Sequence, residues 1–219
     1  MPEYLSPEQA RSFYDRFGER QDWQRWYEGP ALRELIRAGD FGSAHAVFEL
    51  GCGPGALAAE LLGEHLPEDA QYLAVDISPT MVELAGKRLA PFGGRARVLL
   101  TDGGLSFDLP DGSFDRFVSA YVLDLLPPER ITEAFREAHR LLRPGGKICL
   151  LGLTEGCTVA SRAVVAGWRL ARRINPRLVG GCRPLHLIRF ANAADWRWES
   201  HRVMSAFGVP SEVLVMVRH

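Results

Sequence analysis

At 219 residues, 47% of them hydrophobic and 24% charged, the chain has the size and composition of one globular domain with a sizeable core. A formal net charge of −1 gives no global electrostatic case for nucleic-acid binding, so none is expected as a partner. No apolar run approaches the ~18 residues of a membrane span, which excludes a transmembrane helix.

The opening Met1-Pro2-Glu3-Tyr4 lacks the basic start and apolar run of a secretory signal. Cysteines 52, 149, 157 and 182 lack CxxC spacing, so neither a metal site nor a disulfide scaffold is expected, and the expected compartment is a reducing cytoplasm. Ser6-Pro7-Glu8-Gln9 is a helix start, with a capping Ser, Pro in the first turn and Gln closing a capping box; the helix runs to about Phe17, with Gly18 ending it. A short helical, aromatic-rich stretch follows, from Asp22 to Glu28. Phe13, Tyr14, Phe17, Trp23, Trp26 and Tyr27 give this end large rings, either packed on the main domain or roofing a pocket.

Residues 46–50 read as a first strand and 55–65 as its helix. Gln71–Asp76 is a second strand, Ser78-Pro79 opens a helix to about Leu89, and 96–100 is a third strand. After the Asp111-Gly112-Ser113 turn come a strand from Phe114 to Val122 and a helix from about Pro128 to Leu142. The helix has an apolar stripe of Ile131, Ala134, Phe135, Ala138, Leu141 and Leu142. Arg143-Pro144-Gly145-Gly146 stops it, and Lys147–Leu153 is a nearly all-apolar strand. This alternation predicts an α/β, Rossmann-like doubly wound sheet, mostly parallel. Arg197–Phe207 and Ser211–His219, joined by Gly208-Val209-Pro210, break the rhythm and predict an antiparallel C-terminal hairpin. The domain plan is a single unit over 1–219, with a helical cap at 1–40 and a basic helical insertion at 156–194 near the active site.

The stretch from Val47 to Gly55 passes from an apolar run into three alternate glycines, then into helical spacing. A side-chain-free bend before a helix start lets backbone approach a ligand closely. In an open α/β sheet, ligands bind beyond the carboxyl ends of the strands, where Glu49, Asp76 and Asp102 are expected. Asp76, after strand two, suits the two hydroxyls of a ribose, and an acid followed by Gly after strand three suits an adenine amine. Three carboxylates favour a cofactor with a positive centre over one with two phosphates.

Glu49-Leu50-Gly51-Cys52-Gly53-Pro54-Gly55, Val75-Asp76-Ile77-Ser78, Thr101-Asp102-Gly103, Phe114–Ser119 and Leu141–Gly146 together resemble the class I S-adenosylmethionine-dependent methyltransferases. The resemblance covers about 45–155, with the ubiquinone/menaquinone-biosynthesis enzymes as the branch most alike. It implies S-adenosylmethionine as cofactor, held by Gly51, Gly53, Gly55, Glu49, Met81, Asp76 at the ribose, Ile77 at the adenine, and Asp102 at the amine with Gly103 beside it. Ser119 or Ala120 would offer a carbonyl to the methionine ammonium, and Tyr14 would cover the cofactor.

The implied reaction is in-line methyl transfer to a small-molecule acceptor, driven mainly by alignment and removal of water. Tyr121, Asp124 and His186 are the catalytic candidates for an acceptor that needs a base. Segment 156–194 carries seven arginines and no acid. It is read as a helix packed on the sheet edge with a solvated basic side, or as a surface for an acidic or lipophilic acceptor, including peripheral contact with an anionic membrane; RNA stays open for it, with no aromatic-basic recognition motif in support. The competing readings are a nicotinamide oxidoreductase on the same sheet and a non-catalytic S-adenosylmethionine-binding protein; the oligomeric state is open.

Overall fold

Seven strands lie in the order β3-β2-β1-β4-β5-β7-β6 in the structure, a computed structural model that describes residues 4–17 and 25–219. They are β1 (Ala46–Leu50), β2 (Gln71–Asp76), β3 (Ala96–Leu100), β4 (Phe114–Ala120), β5 (Leu142–Leu153), β6 (Trp196–Ala206) and β7 (Val209–Arg218). The helices are α1 (Pro7–Phe17), α2 (Arg25–Gly39), α3 (Ala56–Glu60), α4 (Pro79–Leu89), α5 (Pro128–Leu141) and α6 (Val159–Ile174). β1 pairs in parallel with β2 on one side and β4 on the other, so the crossovers turn in opposite directions from β1 and leave a crevice at its carboxyl end. β7 runs antiparallel between β5 and β6, as the sequence leads one to expect.

Alternation along β1 divides the core into two layers. Val47 faces Leu35, Phe41, Leu61 and Tyr72 on one side of the sheet. Phe48 and Leu50 face Phe117, Ile131, Phe135 and Leu141 on the other. Phe48 lies at the centre of that second layer, its ring 4.9 Å from Phe107 and 5.2 Å from Phe117. Residues 114–119 of β4 are all buried, Asp115 and Arg116 included, and these two are satisfied there: Asp115 Oδ2 accepts from His45 N and Ala46 N at 2.6 and 2.9 Å, and Arg116 Nε donates to the Gly39 carbonyl at 2.6 Å.

Local capping defines the helix starts. Gln9 N donates to Ser6 Oγ at 3.2 Å while Ser6 N donates to Gln9 Oε1 at 3.0 Å, closing the expected capping box. Ser78 Oγ accepts from Met81 N at 3.1 Å, with Pro79 opening α4. α2 is longer than the expected aromatic stretch: it continues through Pro30 to Gly39, because Ala31, Leu32, Leu35 and Ile36 form a buried face that outweighs the one lost backbone donor. β4 ends at Ala120 rather than Val122, since Tyr121 turns left-handed with φ 54°. β5 starts at Leu142, which pairs with Phe114 ahead of a bulge, so the expected stop at residues 143–146 becomes an irregular strand entry. Gly18 and Trp23, and the side chains of Phe17, Trp26 and Tyr27, lie outside the described residues. Among the described residues, no helix is long and apolar enough to cross a membrane.

Candidate functional site

The bend after β1 is built on backbone geometry that side chains obstruct. Gly51, Gly53 and Gly55 have φ of 73°, 52° and 77°. A Cβ on Gly51 would lie 2.3 Å from Val122 Cγ2, whereas one on Gly53 would meet no atom within 4 Å. Gly51 N and Cys52 N both donate to the Val75 carbonyl, at 2.8 and 3.1 Å, tying the bend to the end of β2. Asp76 completes the tie: Oδ2 accepts from Gly53 N and Oδ1 from Ser78 N, each at 2.9 Å. Burial raises the Asp76 carboxyl above its ordinary range, while these backbone donors pull it back.

Beyond the bend, over the carboxyl ends of β1, β2 and β4, opens a cavity of ≈ 340 Å³. Its roof is α1, which contributes Pro7, Ala10 and Tyr14. Two side chains fasten that roof. Arg11 donates from Nε to the Ile77 carbonyl at 2.8 Å and from Nη2 to the Thr101 carbonyl at 3.4 Å, bridging the loops after β2 and β3. Asp15 Oδ1 accepts from Ser78 Oγ at 2.5 Å and from Thr80 N at 3.4 Å. The far wall is apolar, with Leu5, Leu125, Leu126 and Pro127, interrupted by Arg130 and Gly181. Arg130 Nη2 donates to the Gly103 carbonyl at 2.6 Å. Tyr4 stands at this wall with the guanidinium groups of Arg183 and Arg172 over its ring, 5.1 and 5.7 Å from the centroid.

The structure brings Tyr14, Gly51, Gly53, Asp76, Ile77, Met81, Gly103, Ala120 and Tyr121 into this one wall. It places the other expected residues elsewhere. Gly55 packs on α4, where an added Cβ would lie 3.0 Å from Ala85. Ser119 is buried and donates Oγ to the Leu50 carbonyl at 3.1 Å. Asp102 is exposed, with Oδ1 accepting from Gly104 N at 2.7 Å, a local turn contact. Glu49 is 2% exposed and lies beneath the bend, where Tyr72 Oη donates to its Oε2 at 3.0 Å. Burial raises this carboxyl to about 7; the Tyr72 hydrogen bond lowers it, and the charge of Asp76 adds a smaller upward push. Only one of the three expected carboxylates therefore faces the main cavity.

Of the catalytic candidates, only Tyr121 reaches the cavity. Its phenol oxygen is 2.6 Å from Ser211 Oγ, and burial raises its pKa, keeping it protonated. Asp124 is fully buried behind the wall: Oδ2 accepts from Leu153 N at 3.2 Å, and Oδ1 has no hydrogen-bond partner among the described residues. Burial raises Asp124 to about 7. His186 is outside the cavity wall, with Nδ1 3.4 Å from Thr154 Oγ1. Sequence reasoning passed over Arg11, Arg130 and Tyr4. The signal available for Arg130 was its place in the first turn of a helix that starts just past the end of β4, where ligands of such sheets lie.

A family profile described as "Methyltransferase domain" matches residues 47–146. The tRNA(Thr) (cytosine(32)-N(3))-methyltransferase of Saccharomyces cerevisiae is 34% identical over 110 residues, covering 47% of this chain and 17% of the yeast protein. The uncharacterized methyltransferase YdaC of Bacillus subtilis is 28% identical over 139 residues, 63% of this chain and 67% of YdaC. Among solved structures, the N-methyltransferase NodS from Bradyrhizobium japonicum, in complex with S-adenosyl-L-homocysteine, has a TM-score of 0.66 at 18% identity, covering 87% of each chain. The chain has the class I S-adenosylmethionine-dependent methyltransferase fold.

These relatives correct the expectation that the partner is a small molecule alone, with nucleic acid left out. Proteins named as tRNA N(3)-cytidine methyltransferases from yeast, vertebrates and fruit fly are all similar to this chain, which spans less than half the length of each. The physical error lay in using net charge, which sums over a whole surface; contact with a phosphate backbone needs only a local basic patch.

Proposed function

We propose that this chain transfers a methyl group from S-adenosylmethionine to a small-molecule acceptor. The observation that carries this reading is the single cavity in which the Gly51–Gly53 bend and the Asp76 carboxylate meet an apolar wall of Leu5, Leu125 and Leu126. The residues fit the cofactor: the open side of Gly53 admits close approach, and Asp76 is fixed by two backbone donors with lone pairs left for ribose hydroxyls. Ile77 and Met81 would flank the adenine, with Gly103 at its edge. Asp102 would reach the amine by exchanging its contact with Gly104 N. Tyr14 would cover the cofactor from α1, and Ser119 or Ala120 would turn a carbonyl toward the methionine ammonium.

When bound, the cofactor supplies a methyl group already activated on a sulfonium. The chain's own work is then to align the acceptor and exclude water, through the α1 roof and the wall of Leu125, Leu126 and Pro127. Tyr121 would orient the acceptor as a neutral phenol. Asp124 and His186 would act through the wall rather than on the reacting atoms. The cap at 1–40 and the basic segment at 156–194 belong to this reading as the parts that shape the acceptor side.

A second reading is favoured by the tRNA cytidine methyltransferases among the relatives: the acceptor is a base of a nucleic acid. One experiment separates the two. Purified protein is assayed for S-adenosylhomocysteine release with quinol, phenol, thiol and amine acceptors and, in parallel, with transfer RNA. Turnover with a small molecule supports the first reading, and turnover with RNA alone supports the second. Failure to bind S-adenosylmethionine at all overturns both. The quinol arm also tests the quinone-biosynthesis branch, which none of the relatives described above addresses. We place the protein in the cytoplasm, a reading supported by its free thiols at Cys52, Cys149, Cys157 and Cys182.

A further inference from the structure

α6 turns an apolar stripe away from the protein. Val159, Leu170 and Ile174 leave 85%, 62% and 64% of their surface exposed, and Ala163 and Ala166 are exposed in line with them. At 3.6 residues per turn these five positions share one side of the helix. The opposite side is the packed one: Ser161 and Val165 are buried, and Trp168 Nε1 donates to the Cys182 carbonyl at 3.0 Å. The helix is therefore apolar on two sides, of which the fold covers one. Leu178, just past its end, is exposed as well.

Arginines border the outward stripe. Arg162, Arg169 and Arg173 run along one edge of it and are all exposed. Arg162 Nε donates to the Gly156 carbonyl at 3.4 Å, and Arg169 pairs with Glu155. Segment 156–194 holds no Asp or Glu, so its charge is offset only from outside it, as by Glu155. An occupant of this side must be aliphatic where Leu170 and Ile174 point and anionic beside them. An anionic bilayer surface is both, with acyl chains under a layer of phosphates. RNA offers the phosphates but nothing aliphatic, and the stripe has no aromatic ring for a base to stack on. A second copy of the chain offers the aliphatic stripe, but the same segment brings no acid to meet these arginines.

We propose that α6 docks the protein on an anionic lipid surface. Val159, Leu170 and Ile174 enter the boundary between headgroups and acyl chains, and Arg162, Arg169 and Arg173 meet the phosphates. The helix lies on the surface and does not cross it: it has 16 residues, and no helix among the described residues is long and apolar enough to span. The inference goes beyond the proposed function and stands on α6 alone. The packed side of the helix gives the docking a place relative to the main cavity. Gly181, next to Cys182, lines the cavity, and Arg172 lies over the ring of Tyr4 in the same wall. The docked helix thus backs onto the segment that helps form that wall.

The test is flotation of the full chain with two kinds of vesicle: phosphatidylcholine alone, and phosphatidylcholine mixed equally with phosphatidylserine. Wild-type protein is expected to bind the mixed vesicles at least about tenfold more tightly than the neutral ones, and to be released by added salt. Leu170→Ser combined with Ile174→Ser is expected to weaken that binding about tenfold or more, and Arg162→Gln combined with Arg173→Gln by a similar factor. Leu170→Phe, which keeps the apolar surface, is expected to bind as tightly as wild type, and thermal unfolding verifies that each variant is folded. Wild-type protein that stays off the mixed vesicles overturns the inference. Loss of binding in the arginine variant with none in the serine variant also overturns it, and marks a plain polyanion surface such as one for RNA. A serine variant whose sole effect, by sedimentation, is to split a dimer into monomers overturns it in favour of a second copy. None of these results bears on the proposed function, which the acceptor assay decides separately.

Discussion

The Arg130 guanidinium reaches back from the first turn of α5 to the Gly103 carbonyl, 2.6 Å away, and so pins the loop after β3 against the start of the helix after β4. Among the described residues, this is the side-chain hydrogen bond that α5 makes to Gly103. Arg130→Ala is expected to weaken S-adenosylmethionine binding by about fivefold with little change in thermal stability, because the bond is partly solvated and worth roughly 1 kcal/mol. Titration calorimetry of Arg130→Ala beside Arg130→Lys checks this; unchanged affinity in the Ala variant would refute the pinning role.

Asp76 holds the bend and faces the cavity at once. Asp76→Ala is expected to weaken cofactor binding by at least about tenfold and also to lower the melting temperature, since it leaves the Gly53 and Ser78 N–H groups without their acceptor. A variant that lost affinity at unchanged melting temperature would show that the structural half of this assignment is wrong.

The first two glycines of the bend should separate under substitution. Gly51→Ala combines a left-handed φ with a Cβ placed 2.3 Å from Val122 Cγ2. It is expected to destabilise the fold by about 2–3 kcal/mol. Gly53→Ala meets only the backbone penalty, about 1–2 kcal/mol, but its methyl group enters space a cofactor would use. Urea denaturation should therefore rank Gly51→Ala as the less stable protein. Adding Val122→Ala should rescue part of that loss and none of the loss in Gly53→Ala.

Asp124 gives a pH signature. Its carboxyl is raised to about 7 in the folded chain, while an unfolded Asp titrates near about 4. Between these values the folded state holds the proton that the unfolded state has released, so this group's contribution to stability falls as pH rises through that window and levels off above it. Asp124→Asn, which cannot ionise, is expected to gain on wild type progressively from about pH 4 to pH 7. Chemical denaturation at several pH values checks the trend, and a constant difference between the two proteins would exclude it.

Much of the fold was legible because the signals that carry it are local. The Ser6–Gln9 box, the Ser78-Pro79 start and the alternating glycines each specify their own few residues, and the hairpin ending declared itself by its turn and by the lack of a crossover helix. The expectation for α2 fell short because Gly29-Pro30 reads as a stop in isolation, and only the buried face from Ala31 to Ile36 shows why the helix continues. The partner expectation failed for a different reason: a net charge near zero carries no information about where the charges lie.

The sequence by itself determined the strand–bend–helix unit, the order of its acids along the chain and the kind of sheet they would border. Only the tertiary structure decided that Asp76 faces the main cavity, that Glu49 lies beneath the bend and that Asp102 turns outward. Periodicity and turn chemistry act over a few residues, so one chain suffices to read them. The direction of a side chain at a strand end depends on a single residue of register and on what packs above it, here α1, α2 and α5, which arrive from far along the sequence.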